Sequence, residues 1–302
     1  MVYISCSGGL GDIIQTYLSN PVNPEGLNGD DRFPSSDPTM SLWFRRLENF
    51  KEIYPEAHVK LVVMSHNPNA QELFEHHPYI DDIEVWKYHA STQMGNILDE
   101  KYGKLGCIHA AYNSKWSELK VSSPHIYLSD TEHRSFERIK NAGEYILVHP
   151  FAGAELRMPL SISEHYKIIK RILKEGLRVI VVGESYLKNS SDNHFLSERF
   201  DYERKGLLSL VNIASVRLST VLALGCYGFI GTLSSMILPA WYKKVRTVCV
   251  VPTMHDTGIT MEEFIAHPNP TGWGFGKPFN KTVMIERGEN VNVKDIVRWF
   301  CA

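Results

Sequence analysis

At 302 residues, with 43% hydrophobic and 22% charged side chains, the chain reads as a soluble globular protein long enough for two domains of ordinary size. Its net charge of −2 carries no basic excess and no Lys/Arg run stands out, so composition gives polyanion binding no support. Membrane-spanning apolar runs and signal-peptide features are absent, and five scattered cysteines (Cys6, Cys107, Cys226, Cys249, Cys301) without a C-x-x-C pair predict reduced thiols in a cytoplasm.

The chain opens on a strand, 2–6, that runs into Ser7-Gly8-Gly9-Leu10-Gly11-Asp12 and then an apolar, helix-like run. Glycines serve where backbone turns sharply or approaches a ligand, and a following helix presents free N–H groups at its first turn. Asp12 therefore falls at the carboxyl end of a first strand, the edge that lines the ligand crevice of open α/β sheets. Helix cap and catalytic carboxylate are both open to it from this segment. Residues 20–40 hold four prolines, two glycines and several Asn, Asp and Ser residues, which predicts an irregular loop of functional length. Helical spacing follows over 42–54, stopped by Pro55, then a buried-strand run over 58–64, a short helix over 70–76 and strands at 83–86 and 107–111. The β-α-β-α-β order predicts a parallel sheet with helices on both faces.

A charged helix leading into a linker is expected over 128–143, with a domain boundary at 138/139. The alternation then restarts: a strand at 145–150, a loop at 151–154, a helix over 162–176 with basic residues and a glycine at its end, and a strand at 179–182 leading to Gly183 and Glu184. Residues 207–224 read as mostly helical, 228–231 as a strand, 234–242 as a helix, 245–251 as a strand and 293–300 as the closing helix. Two αβ sets predict two Rossmann-like domains facing a central cleft, residues 1–138 and 139–302, with the last helix, 293–300, packed near the interdomain side.

Four segments resemble glycosyltransferase family 9, the heptosyltransferase-like family of GT-B fold. They are Gly8–Ile14 at the N-terminus; 50–59 with 77–83; 146–154 with Arg157-Met158-Pro159-Leu160; and Gly231-Thr232-Leu233-Ser234-Ser235-Met236. The resemblance implies an inverting transfer of a sugar from a nucleotide-sugar donor to a hydroxyl acceptor. The family's general base falls on Asp12 and its donor side on the second domain. The chain departs from the family pattern at Leu233, where an acid is usual, at Leu238, where a His is usual, and at Leu156, where a Lys is usual. The heptose donor preference is therefore not carried over, and the 20–40 loop, an insertion, leaves the acceptor class open.

Inverting transfer needs a base for the acceptor hydroxyl and positive partial charge for the departing nucleoside diphosphate. Asp12 meets the first need, with Gly9 and Gly11 forming the turn before it. Thr232, Ser234 and Ser235 are candidates for the second, through hydroxyls and backbone N–H groups, or else are ordinary helix caps. Arg157 is a candidate phosphate partner or a solvated surface arginine. His149 ends a strand at the same edge, as a donor contact or a buried, hydrogen-bonded histidine. Glu184 is placed to bind ribose or base, and the pair His255-Asp256 follows another strand of that edge. Trp273, Phe275 and Phe279 form either a lid or a cover for the core. No acidic pair in the motif and no histidine spacing resembles a metal site, so neither metal nor cofactor is expected.

Three rivals share parts of this pattern. A nicotinamide-dependent oxidoreductase would need a third glycine after Gly9 and Gly11 and an acid after Ser65, and neither is in place. A catalytically silent nucleotide-sugar binder is favoured by Leu233 and opposed by the intact Gly11-Asp12. A nucleotide-sugar epimerase shares the two-domain plan. A nucleic-acid acceptor is disfavoured by the neutral charge.

Overall fold

A computed structural model describes residues 2–7, 10, 13–14, 17, 44, 46–65, 67, 69–87, 119–120, 122, 125–151, 159–183, 205–254, 260, 262–263, 275, 277–286 and 291–301. The chain divides into two compact units, Met1–Ser129 and Asp130–Ala302.

In the first unit, β1 (Val2–Ser7), β2 (Val59–Ser65) and β3 (Asp82–Lys87) form a parallel sheet in that order. The β2 run is apolar on both faces, as a covered parallel strand requires, and all but Lys60 of its residues are buried. After β1, Leu10, Ile13, Ile14 and Tyr17 are helical, and the last three are buried. Helix α1 (Leu47–Ile53) buries Leu47 and Phe50 and stops at Tyr54, whose backbone leaves the helical region ahead of Pro55. Asp81 ties these parts together: its carboxylate accepts from the backbone N–H of Val59 at 2.7 Å and from the Lys51 ammonium at 2.6 Å. Residues 70–73 form a single 3-10 turn rather than the longer helix expected over 70–76, and His76 follows with a positive φ.

The second unit is a six-stranded, wholly parallel sheet built from β4 (Tyr145–His149), β5 (Arg178–Val181), β6 (Leu207–Ser209), β7 (Gly228–Thr232), β8 (Arg246–Pro252) and β9 (Asn280–Ile285). Its spatial order is β6-β5-β4-β7-β8-β9. The chain thus winds outward from β4 in one direction and then, from β7, in the other, the doubly wound pattern. Helices α2 (Asp130–Asn141), α3 (Ile162–Lys174), α4 (Val216–Gly225), α5 (Ile237–Tyr242) and α6 (Val293–Cys301) accompany it. Helix α3 opens on a capping box, in which Ser161 accepts from the Glu164 N–H and the Glu164 carboxylate accepts from the Ser161 N–H. It ends at Glu175, with Gly176 beyond at φ +81. The core joins Ile146, Val148, Ile168, Ile172, Val181 and Phe300 among others, so α3 and α6 contribute to one core with the strands. Helix α2 is held to α4 by a buried ion pair: the Glu132 carboxylate accepts from Arg217 Nε and a terminal nitrogen, each at 3.2 Å, and from the Ser215 hydroxyl.

The helix expected over 207–224 is two elements, β6 and then α4. The apolar spacing of this stretch suits either structure, and pairing of Leu207, Leu208 and Ser209 with β5 decides it. Asn212, at φ +56, turns the chain toward the Ser215 cap of α4. Strand β9, which sequence reading passes over, pairs with β8 along its whole length. Among the described residues no helix is long and apolar enough to cross a membrane.

Candidate functional site

The winding of the second sheet reverses between β4 and β7, and ligands of doubly wound sheets bind outside the carboxyl ends of the strands at such a reversal. His149 is the last residue of β4 and pairs in register with Gly231, the penultimate residue of β7. The carboxyl ends of the two strands therefore lie side by side, and the next residues of each reach a common edge. There the Ser234 hydroxyl and His149 Nδ1 are 3.0 Å apart. Two residues that sequence reading put forward separately are brought into direct contact.

The His149 ring is packed tightly. A Cβ on Gly183, which follows β5 at φ +134, would lie 2.6 Å from Phe151 Cδ2 and 3.1 Å from both Cδ2 and Nε2 of His149. No side chain fits there, so the glycine is what allows the backbone after β5 to close on the ring. Phe151 stands edge-on to the imidazole, with ring centroids 6.4 Å apart. Gly231 does the same service beneath: a Cβ on it would lie 2.8 Å from the His149 carbonyl oxygen.

Burial holds His149 at a pKa of about 4, helped by the neighbouring His165. His165, on α3, is likewise lowered to about 4 by burial, and its Nδ1 donates to the Ser161 carbonyl oxygen at 3.1 Å. Both imidazoles are neutral at pH 7. His149 with Ser234 is consequently no nucleophile-and-base pair: the imidazole is a weak base, and among the described residues no carboxylate orients it. What the pair offers is a fixed, neutral hydrogen-bonding group at the sheet edge.

The remaining candidates divide as follows. Thr232 ends β7 and is buried, and Ser235 lies in the turn after it, half-buried. Helix α5 begins at Ile237, not at Ser234, and its cap residue Met236 makes no side-chain capping bond. The Ser234 hydroxyl, which the sequence offers as a helix cap, meets His149 instead. Leu233, standing where the resemblance leads one to expect an acid, is buried and packs as a core side chain. Phe275 covers the core, its ring 5.1 Å from that of Trp241, and the Phe279 carbonyl accepts from the Thr247 N–H. Asp12, Gly9, Gly11, Arg157, Glu184, His255, Asp256, Trp273 and the loop at 20–40 lie outside the described residues.

Sequence reading missed His165 and the packing role of Gly183. A histidine on an amphipathic helix carries no signal of its own, and the requirement for glycine at 183 arises from Phe151 and His149, far away in sequence. Cys6, Cys226 and Cys249 are buried, and desolvation pushes their thiols up, Cys226 to about 12, so none is an activated nucleophile. Among the described residues no group of three or more His, Cys, Asp or Glu side chains is arranged to hold a metal ion.

No family model matches the chain, and no curated protein is similar to it in sequence. Solved structures are similar. The E. coli ADP-heptose LPS heptosyltransferase II matches over 100% of this chain and 98% of its own, at 11% identity and a TM-score of 0.53. A glycosyl transferase family 9 protein from Veillonella parvula matches over 93% of this chain and 85% of its own, at 10% identity and a TM-score of 0.50. At these identities the likeness is one of fold. It agrees with the resemblance that the sequence motifs carry: an α/β chain with parallel sheets, folded as the heptosyltransferases of family 9 are.

Proposed function

We propose that the protein is a glycosyltransferase that moves a sugar from a nucleotide-sugar donor to a hydroxyl acceptor with inversion. The observation that carries this reading is the reversal point between β4 and β7, where His149 and Ser234 meet in a chain that shares its fold with sugar transferases. The second domain, residues 139–302 in this reading, takes the donor. Ser234, Ser235 and Thr232 meet its diphosphate, Arg157 offsets phosphate charge, and Glu184 meets ribose or base. The first domain, residues 1–138, takes the acceptor, and its loop at 20–40 shapes the acceptor site.

Asp12 is the general base. As the acceptor oxygen attacks the anomeric carbon, the carboxylate takes the hydroxyl proton and the nucleoside diphosphate leaves with the bonding electron pair. Fixed hydrogen-bond donors stabilise the leaving diphosphate, so the reaction runs without metal or cofactor. The buried Leu233 removes an acid from the donor side, which supports a donor other than ADP-heptose.

Asp12→Asn tests the mechanism, because it keeps shape and capping ability but takes up no proton. With nucleotide sugars screened by thermal shift and the best donor carried into a transfer assay, the variant should keep its melting temperature and donor affinity while transfer falls about 10²–10⁴-fold. Transfer at nearly the parent rate would make Asp12 a helix cap. Activity should also survive a chelator. Loss on chelation with recovery in magnesium or manganese would overturn the metal-independent reading.

A further inference from the structure

Folded chains leave few buried polar atoms without a partner, so each exception asks for a cause. Among the described residues of the first unit there are two, Arg46 Nε and Gln71 Oε1. Arg46 immediately precedes α1, and its polar neighbours on that helix are all engaged. Glu48 accepts from the Tyr79 hydroxyl at 3.1 Å. Asn49 donates to Glu52 and accepts from the Lys120 N–H, both at 2.9 Å. Lys51 donates to Asp81 at 2.6 Å and to the Ala57 carbonyl oxygen at 2.7 Å. The half-buried Arg46 guanidinium meets neither a carboxylate nor a carbonyl of the described residues. Burial lowers its pKa, and no acid stands close enough to offset that. Arginine nevertheless keeps its charge in proteins. Arg217 is the contrast, since its buried guanidinium is neutralised by Glu132 at 3.2 Å. A partly desolvated cation without a counter-charge is costly to the unliganded fold, and an anion bound there repays that cost.

Gln71 lies on the 3-10 turn at 70–73, and the ring of Phe74 just beyond stacks on that of Phe44, 4.8 Å away at 22°. Phe44 stands two residues before Arg46. The stack thus joins the two segments, one carrying an unpaired donor and the other an unpaired acceptor. A ligand suited to both has anionic oxygens for the guanidinium and a hydroxyl for the amide oxygen. We propose that Arg46 and Gln71 bind a hydroxylated oxyanion, a sugar or polyol that bears a phosphate or carboxylate group. The forked N–H donors of Arg46 hold the acid group, and Gln71 accepts from a hydroxyl. The proposal rests on the proposed function only for the source of this group, the acceptor, which that reading gives to the first domain.

Calorimetry on the intact chain tests the site directly, with glucose 6-phosphate, glucuronate, inorganic phosphate, acetate and uncharged glucose as probes. One of the two sugar acids should bind, and which of them binds more tightly separates a phosphate source from a carboxylate one. Arg46→Met should weaken that probe by about tenfold or more, the worth of a hydrogen bond to a charged group, and glucose should be weaker by a similar factor. Gln71→Met should remove the advantage of the sugar acid over its bare ion, inorganic phosphate or acetate, and leave the bare ion within about threefold of its parental affinity. An advantage kept in Gln71→Met overturns the part given to that residue.

A second measurement separates a ligand site from a structural arginine. Without ligand, Arg46→Met should unfold in urea at the parental midpoint or above it, because methionine keeps an apolar stem and removes the unpaired charge. A midpoint lower by about 0.5 M or more would mean that Arg46 supports the fold, and would overturn the proposal. So would a parent that binds none of the probes, or parental affinity in Arg46→Met. These failures leave the glycosyltransferase reading standing, because nucleotide-sugar binding and the Asp12→Asn comparison draw on other residues. Conversely, probe binding that is lost in Arg46→Met stands whether or not the chain transfers sugar.

Discussion

Replacing Gly183 by alanine probes the packing on which the site depends. The residue sits at φ +134, where an L side chain is strained, and holding a non-glycine residue in a sparsely populated region costs about 1–3 kcal/mol. The added Cβ would also lie 2.6 Å from Phe151 Cδ2 and 3.1 Å from the His149 ring, so both rings must shift within a filled space, for about another 1–3 kcal/mol. Gly176 is the matched control. It too has positive φ, +81, but nothing lies within 4 Å of its hypothetical Cβ, so Gly176→Ala meets backbone strain alone, about 1–2 kcal/mol. With a urea slope near 2 kcal/mol/M, the unfolding midpoint of the second unit should fall by about 1–3 M in Gly183→Ala and by no more than about 1 M in Gly176→Ala. Circular dichroism through a urea titration of the intact chain measures both. Equal midpoints for the two variants would refute the argument that His149 and Phe151 occupy the space beside Gly183.

Two further outcomes follow from buried charge and from buried neutral histidines. Glu132→Ala strands Arg217, whose side chain is only 7% exposed, and should cost about 3–5 kcal/mol, recovered when Arg217→Met is added; a cost near zero in the urea midpoint would make the pair ornamental. His149 and His165 have folded pKa values of about 4, below the unfolded value near 6.5, so between those values the unfolded chain binds more protons. Stability is therefore complete above about pH 6.5 and falls as pH drops toward 4, by on the order of 3 kcal/mol for each histidine. Urea midpoints compared at about pH 7.5 and 4.5 should show the fall, and His165→Gln should flatten it; an unchanged slope in that variant would remove His165 from the account.

Legibility from sequence followed the kind of signal each element carries. Strands β2, β4, β5, β7 and β8 are continuous apolar runs between turn residues, and such runs point to covered parallel strands. Strand β9 opens Asn280-Lys281-Thr282, which reads as loop, and its pairing with β8 is what makes it a strand. Ser234 and Ser235 have the composition of a helix cap, yet Ser234 meets His149 and the helix starts three residues later, because a contact between residues distant in sequence overrides a local preference. For the same reason the Glu132–Arg217 pair left no trace: its partners stand on two separately predicted helices, and nothing local joins them. The candidate edge was legible as a set of strand ends. The meeting of two of its side chains required the strand order.

The place of α6 bears on how the chain is made. Phe300 fills the space over Gly228, where even a Cβ would come within 2.5 Å of its ring, and Tyr227 donates from its hydroxyl to the Phe300 carbonyl. Strand β4, the first of its sheet to be synthesised, is flanked by β5 and by β7, and the core around it closes only when Ile296, Val297 and Phe300 arrive. During translation the first unit, contiguous in sequence, is delivered whole while the second is still growing. A ribosome that stalls before residue 300 therefore releases a chain whose second sheet has its central strand but an open wall, and that wall is apolar. For a protein with this winding, nascent-chain protection is needed longest by the unit made last.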